Sequence, residues 1–100
     1  MSFYKGKERC IQNKETEKII YIDGGTYSMD EYSEEQAAQD IIDTKLKNNY
    51  IAFYFVTFTR GGVYKMIVQK YLSSNYASYI LFGYSTSKLI YHVKTNGVWL

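Results

Sequence analysis

The sequence predicts an α+β domain: one helix packed on an antiparallel β-meander of about four main strands, with a small N-terminal hairpin. Three observations carry this. Residues 50–71 read YIAFYFVTFTRGGVYKMIVQKY, two runs of β-branched and aromatic residues hinged at Gly61-Gly62. A capped, amphipathic helix signal precedes that stretch. Two more strand signals follow it, separated by short polar turns.

Residues 1–18 are polar, mixed in charge and without a sustained period. They are read as an N-terminal arm, and residues 19–100 as the domain. Phe3 and Tyr4 stand alone, followed by Lys5, Lys7 and Arg9. Such an arm is either mobile or an anchor peptide that orders on a larger surface. Ile19-Ile20-Tyr21-Ile22 reads as a short strand. Asp23-Gly24-Gly25 reads as a turn, because glycine supplies positive φ at no steric cost, and Thr26-Tyr27-Ser28-Met29 as the returning strand.

The helix start is the sharpest local signal. Ser33 is a good N-cap, and Gln36 three residues on completes the capping-box pattern. Glu34 and Glu35 fall in the first turn, where the helix dipole favours negative charge. Tyr32 is placed to staple onto Ala37. Ala37, Ala38, Ile41, Ile42 and Leu46 recur at helical spacing and form one apolar stripe. Asn48-Asn49 is expected to end the helix.

The strand at 50–59 is apolar on both faces, with Ile51, Phe53 and Phe55 on one and Tyr50, Ala52, Tyr54, Val56 and Phe58 on the other. The helix should cover one face, and the other must meet a second layer or another subunit. Arg60-Gly61-Gly62 is the hairpin turn, and 63–71 the partner strand. Residues 76–84 and 88–95 continue the meander, and Asn96-Gly97 turns the chain into Val98-Trp99-Leu100. Lys88, His92 and Lys94 are read as guards of a sheet edge.

Composition bounds the function. A chain of 100 residues buries roughly 60–65% of its unfolded surface, so its core is modest. Hydrophobic residues at 46% and aromatics at 18% argue for a folded chain. Twelve tyrosines suit half-exposed sheets and interfaces. The first residues, MSFYKGKERC, lack the apolar run of a signal peptide, and no run is long enough to span a membrane. The expectation is a soluble chain made in a cytoplasm.

All ten acidic residues precede position 44, and the 57 residues from Thr44 onward hold seven bases and no acid. The two segments are expected to face each other within one molecule, between subunits, or across to a partner. Seven bases so widely spread make a thin patch, which argues against nucleic acid.

No catalytic set emerges. Cys10 is the only cysteine and His92 the only histidine, and nothing in the sequence brings them together. Glu34, Glu35, Asp40 and Asp43 lack metal-ligand spacing. The expectation is no enzyme, no cofactor and no metal. Tyr54, Tyr64, Tyr76, Tyr79, Tyr84, Tyr91 and Trp99 are the candidates for a self-association or ligand face. Of these, Tyr76, Tyr79, Tyr91 and Trp99 can stack on a sugar or base, although at strand spacing such rings commonly form core and cross-strand pairs.

From Glu34 onward the order of elements resembles a β-rich module of bacteriophage fibre proteins, found in head fibres and tail-fibre tips. The matching segments are EEQAAQDIIDTKLKNN, IAFYFV, GGVYKMIVQKY, YASYILFGYS and KLIYHVKTNGVWL. Such modules cap long chains, and this chain of 100 residues departs from that pattern. The resemblance implies a non-enzymatic virion protein, a capsid-decorating or head-fibre component. It would form a homodimer or homotrimer and dock on the capsid or another fibre protein, with host-surface carbohydrate as a further partner. Phe3, Tyr4, Lys5, Lys7 and Arg9 would be its anchor. The alternatives are a small phage-encoded inhibitor that binds a host protein through the acidic helix, and a carbohydrate- or nucleic-acid-binding sheet.

Overall fold

The computed structural model describes residues 18–46, 52–70, 75–83 and 87–100. Their elements run β1 (Lys18–Thr26), α1 (Glu34–Thr44), β2 (Ala52–Thr59), β3 (Val63–Lys70), β4 (Ala77–Gly83), β5 (Leu89–Thr95) and β6 (Val98–Trp99). One six-stranded sheet holds every strand in the order β1-β2-β3-β4-β5-β6. Strands β2 to β6 form an antiparallel meander, while β1 runs parallel to β2. The domain is thus broadly α+β, with six strands where about four main ones were expected.

The N-terminal hairpin does not form. Lys18–Thr26 is one nine-residue strand that runs through both glycines and pairs along its length with β2. The register slips between Asp23 and Gly25, and Gly25 has φ +85°. The pair Gly24-Gly25 therefore marks a bulge, which takes one extra residue in positive φ. Gly24 also serves close approach. A Cβ there would lie 2.7 Å from Ile41 Cδ1 and 2.9 Å from Phe58 Cβ. Because parallel strands need a long crossover, the segment from Tyr27 through α1 to β2 carries the chain back across one sheet face.

Helix α1 forms as its sequence signals predict. Ser33 Oγ accepts from the Gln36 N–H at 3.1 Å, and Gln36 Oε1 accepts from the Ser33 N–H at 2.8 Å. Ala37, Ala38, Ile41 and Ile42 are fully buried against the sheet. The alanines let the helix sit close. Tyr32 meets Tyr27 edge-on at 4.9 Å. The helix closes on Lys45, whose N–H bonds the Ile41 carbonyl. That is before Asn48-Asn49, which lie outside the described residues. Replacing Ser33 with alanine should cost about 1 kcal/mol and lower the melting temperature by roughly 4–8 °C. A thermal scan by circular dichroism checks this.

The core lies between α1 and one face of the sheet. Tyr54, Val56 and Phe58 of β2, Met66 and Val68 of β3, and Tyr79 and Leu81 of β4 fill it. Phe58 stacks on Tyr64 at 5.5 Å and meets Tyr27 edge-on at 6.1 Å. Arg60-Gly61-Gly62 turns β2 into β3, with Gly61 at φ +69°. Asn96 and Gly97, at φ +52° and +80°, make the tight turn between β5 and β6.

Candidate functional site

Strand alternation divides the sheet into a covered face and a bare one. The pairing register defines three rows across the bare face of β1 to β5. The middle row is Tyr21, Phe55, Ile67, Ile80 and Tyr91. The row nearer the β2–β3 turn is Asp23, Thr57, Lys65, Phe82 and Leu89. The third is Ile19, Phe53, Gln69, Ser78 and Val93. Ten of these fifteen residues are apolar or aromatic, and only Asp23 and Lys65 are charged.

Among the described residues no element covers this face. Tyr21 is 79% exposed, Leu89 68% and Tyr91 61%. Tyr21 stacks on Phe55 at 5.5 Å. Beside this pair lies an open trough of about 470 Å³ lined by Phe55, Thr57, Lys65, Ile67 and Phe82. A contiguous exposed apolar patch of this kind marks an interaction surface.

The tyrosine and tryptophan candidates do not gather on that face. Tyr54 and Tyr79 are core residues, each 1% exposed, beneath the helix. Tyr79 Oη accepts from Gln39 Nε2 at 3.1 Å, and burial raises its hydroxyl pKa above the ordinary value. Tyr64 packs on Phe58 in the covered layer. Trp99 meets Tyr79 edge-on at 5.3 Å on the same side. Tyr76 lies just before β4, its hydroxyl 2.6 Å from Asn96 Oδ1. Tyr91 stands in the middle row of the bare face, and Tyr76 borders that face, lining a hollow with Gln69, Ser78 and Val93. Tyr84 and the anchor candidates Phe3, Tyr4, Lys5, Lys7 and Arg9 lie outside the described residues.

The residues missed as site candidates are Tyr21, Phe55, Ile67, Ile80, Phe82 and Leu89. Their signal was present in the failed alternation of the strands. It becomes an interface only when the register sets these positions side by side.

The acidic and basic segments meet within the chain. Glu34 pairs with Lys88 at 3.0 Å, and Asp43 with Lys94 at 2.9 Å. Asp43 also accepts from Trp99 Nε1 at 3.2 Å. The Lys88 ammonium holds the Glu34 carboxyl below its usual value. His92 turns its Nδ1 to the Leu100 carbonyl at 2.8 Å. Lys88, His92 and Lys94 therefore tie β5 to the helix and to the C-terminal residue, rather than guarding an edge. Lys45 reaches the Gly24 carbonyl at 2.7 Å, with its ammonium over the Tyr27 ring. Arg60 Nε donates to the Tyr32 carbonyl.

Among the described residues Lys70 is the buried charge, 2% exposed. Its cross-strand neighbours are Ala52 and Ala77, whose small side chains leave room for its stem. Its Nζ donates to the Ile42 carbonyl at 2.7 Å, in the last turn of the helix, where carbonyls lack partners. No basic residue of the helix itself occupies that turn.

No group of three His, Cys, Asp or Glu among the described residues is placed to hold a metal ion. Among them no helix is long and apolar enough to cross a membrane. Comparison of the chain with protein-family models, curated proteins and solved structures found no match.

Proposed function

We propose that this protein is a non-enzymatic bacteriophage virion structural protein, a capsid-decorating or head-fibre component that self-associates and docks on the capsid or another fibre protein. The bare apolar face of the sheet is the observation that carries this reading. A face with ten apolar residues and two charges is costly to leave in water, at about 25 cal/mol for each Å² of apolar surface. It is suited to burial against protein. The likeness of residues 34–100 to phage fibre modules supplies the setting, and the N-terminal segment with Phe3, Tyr4, Lys5, Lys7 and Arg9 supplies the anchor.

The two alternative readings draw less support. An inhibitor acting through the acidic helix would present Glu34, Glu35, Asp40 and Asp43. Two of these are already paired with lysines, and Asp40 accepts the Tyr27 hydroxyl at 2.6 Å. A carbohydrate- or nucleic-acid-binding platform would need Tyr76, Tyr79, Tyr91 and Trp99 on one surface, and they are divided between two faces.

The test is the mass of the full chain in solution, by light scattering behind a sizing column, together with assay for the protein in purified phage particles. A mass of at least twice 11.7 kDa and presence in particles are expected. A monodisperse monomer at high concentration, absent from particles, overturns the reading.

A further inference from the structure

We infer that the bare sheet face is the contact of a two-fold homodimer, in which two copies stack sheet on sheet with their helices outward. This rests on the self-association proposed above and specifies its partner, geometry and stoichiometry.

Size is the first argument. Five strands at about 4.8 Å spacing and three rows at about 6.7 Å repeat give a flat footprint of roughly 500 Å². Side chains standing on it raise the accessible surface toward the ~800 Å² per partner of a standard interface. The patch is therefore large enough for a stable dimer without help from another surface.

Self-complementarity is the second. An isologous contact must place one patch on its own copy. The middle row reads Tyr21, Phe55, Ile67, Ile80, Tyr91, with tyrosines at both ends and a branched aliphatic centre. Turning this row about a two-fold axis near Ile67 sets large apolar groups against large apolar groups. The two charges also choose the direction of the axis. An axis along β3 would stack Lys65 of one copy on Lys65 of the other. An axis along the middle row instead sets each Lys65 opposite Gln69 of the other copy, and each Asp23 opposite Ile19. The lysines are then kept apart, and both charges lie at the rim, where water reaches them.

The third argument is stoichiometry. A single flat face is used up by one partner. A trimer would require two different complementary patches, so the closed dimer is the stoichiometry this surface defines.

The experiment is sedimentation equilibrium of the full chain and of two variants, Ile80→Lys and Tyr91→Glu. Both positions lie on the bare face, away from the core beneath α1. Each variant should keep the far-ultraviolet circular dichroism of the parent. Each should raise the dimer dissociation constant at least 100-fold, because an unpaired charge is forced into a dry interface. Glu35→Lys, on the helix side, should leave the constant within twofold. A wild-type monomer overturns both this inference and the self-association reading. An oligomer unaffected by folded Ile80→Lys and Tyr91→Glu overturns the inference alone and moves the contact to another surface, such as the edge of β1. A wild-type trimer overturns the two-fold geometry while leaving self-association intact.

Discussion

Replacing Phe58 with alanine is expected to cost about 3–5 kcal/mol of stability, the range for emptying a well-packed aromatic site. Phe58 is 1% exposed, and its ring lies against Tyr27 and Tyr64. It also packs beside Gly24, where the strand bulges toward Ile41. The surroundings cannot collapse into the space, because β1 and β2 are held in register on both sides of the bulge. For a domain of this size the loss corresponds to a fall in melting temperature of roughly 12–40 °C. Thermal unfolding at matched protein concentration reads the effect. A fall of under 5 °C would show that the core is not centred on this ring. Phe58→Leu should recover more than half of the loss, because it restores most of the volume.

Lys70→Ala is expected to cost about 2–4 kcal/mol, combining a buried stem lost with a helix carbonyl left without its donor. Lys70→Met keeps the stem and should cost less than half as much. The same pair has a signature in pH. Burial lowers the pKa of the Lys70 ammonium; Asp43 opposes that shift and Lys94 adds to it. Between the lowered folded value and the ordinary lysine value of about 10.4, the folded state holds fewer protons than the unfolded chain. Stability therefore rises with pH across that window, and below it the charged amine carries the full desolvation cost.

Tyr27 and Tyr79 act in the opposite sense. Burial raises both hydroxyls above their ordinary value, aided at Tyr27 by its bond to Asp40 and opposed at Tyr79 by the bond from Gln39. The unfolded chain then ionises first, and stability falls once pH passes about 10. Urea midpoints between pH 7 and 11 should show a rise followed by a fall in the parent. Lys70→Met should lose the rise and keep the fall. A rise that survives in Lys70→Met would mean that Lys70 is not its source.

Local signals were read correctly where the physics is local. A capping box needs only Ser33 and Gln36 three residues apart, and both reciprocal bonds form. The apolar stripe of α1 follows from helical spacing alone. Gly61 and the Asn96-Gly97 pair occupy positive φ because a tight turn demands it at those positions. Two-sided apolarity in β2 is matched by apolar side chains on both faces of that strand.

Other outcomes hang on partners distant in the chain. Asp23-Gly24-Gly25 has the composition of a turn, yet the glycines serve a bulge and a close approach. What overrides turn propensity is pairing with β2, about thirty residues away, which sets eight residues of β1 in register with β2 at once. The tyrosines are alike in chemistry, but register sends Tyr79 into the core and Tyr91 to the bare face. A shift of one position exchanges the faces of a strand. Sequence by itself determined the helix, the turns at Gly61 and Asn96-Gly97, the strands of the meander and the apolar character of both faces of β2, since these depend on neighbours within a few residues. Tertiary structure decided that β1 lies parallel to β2, that the acidic helix meets its lysines within the molecule, and which fifteen side chains share the open face. Those depend on strand order and register, which only the whole chain packing together can select.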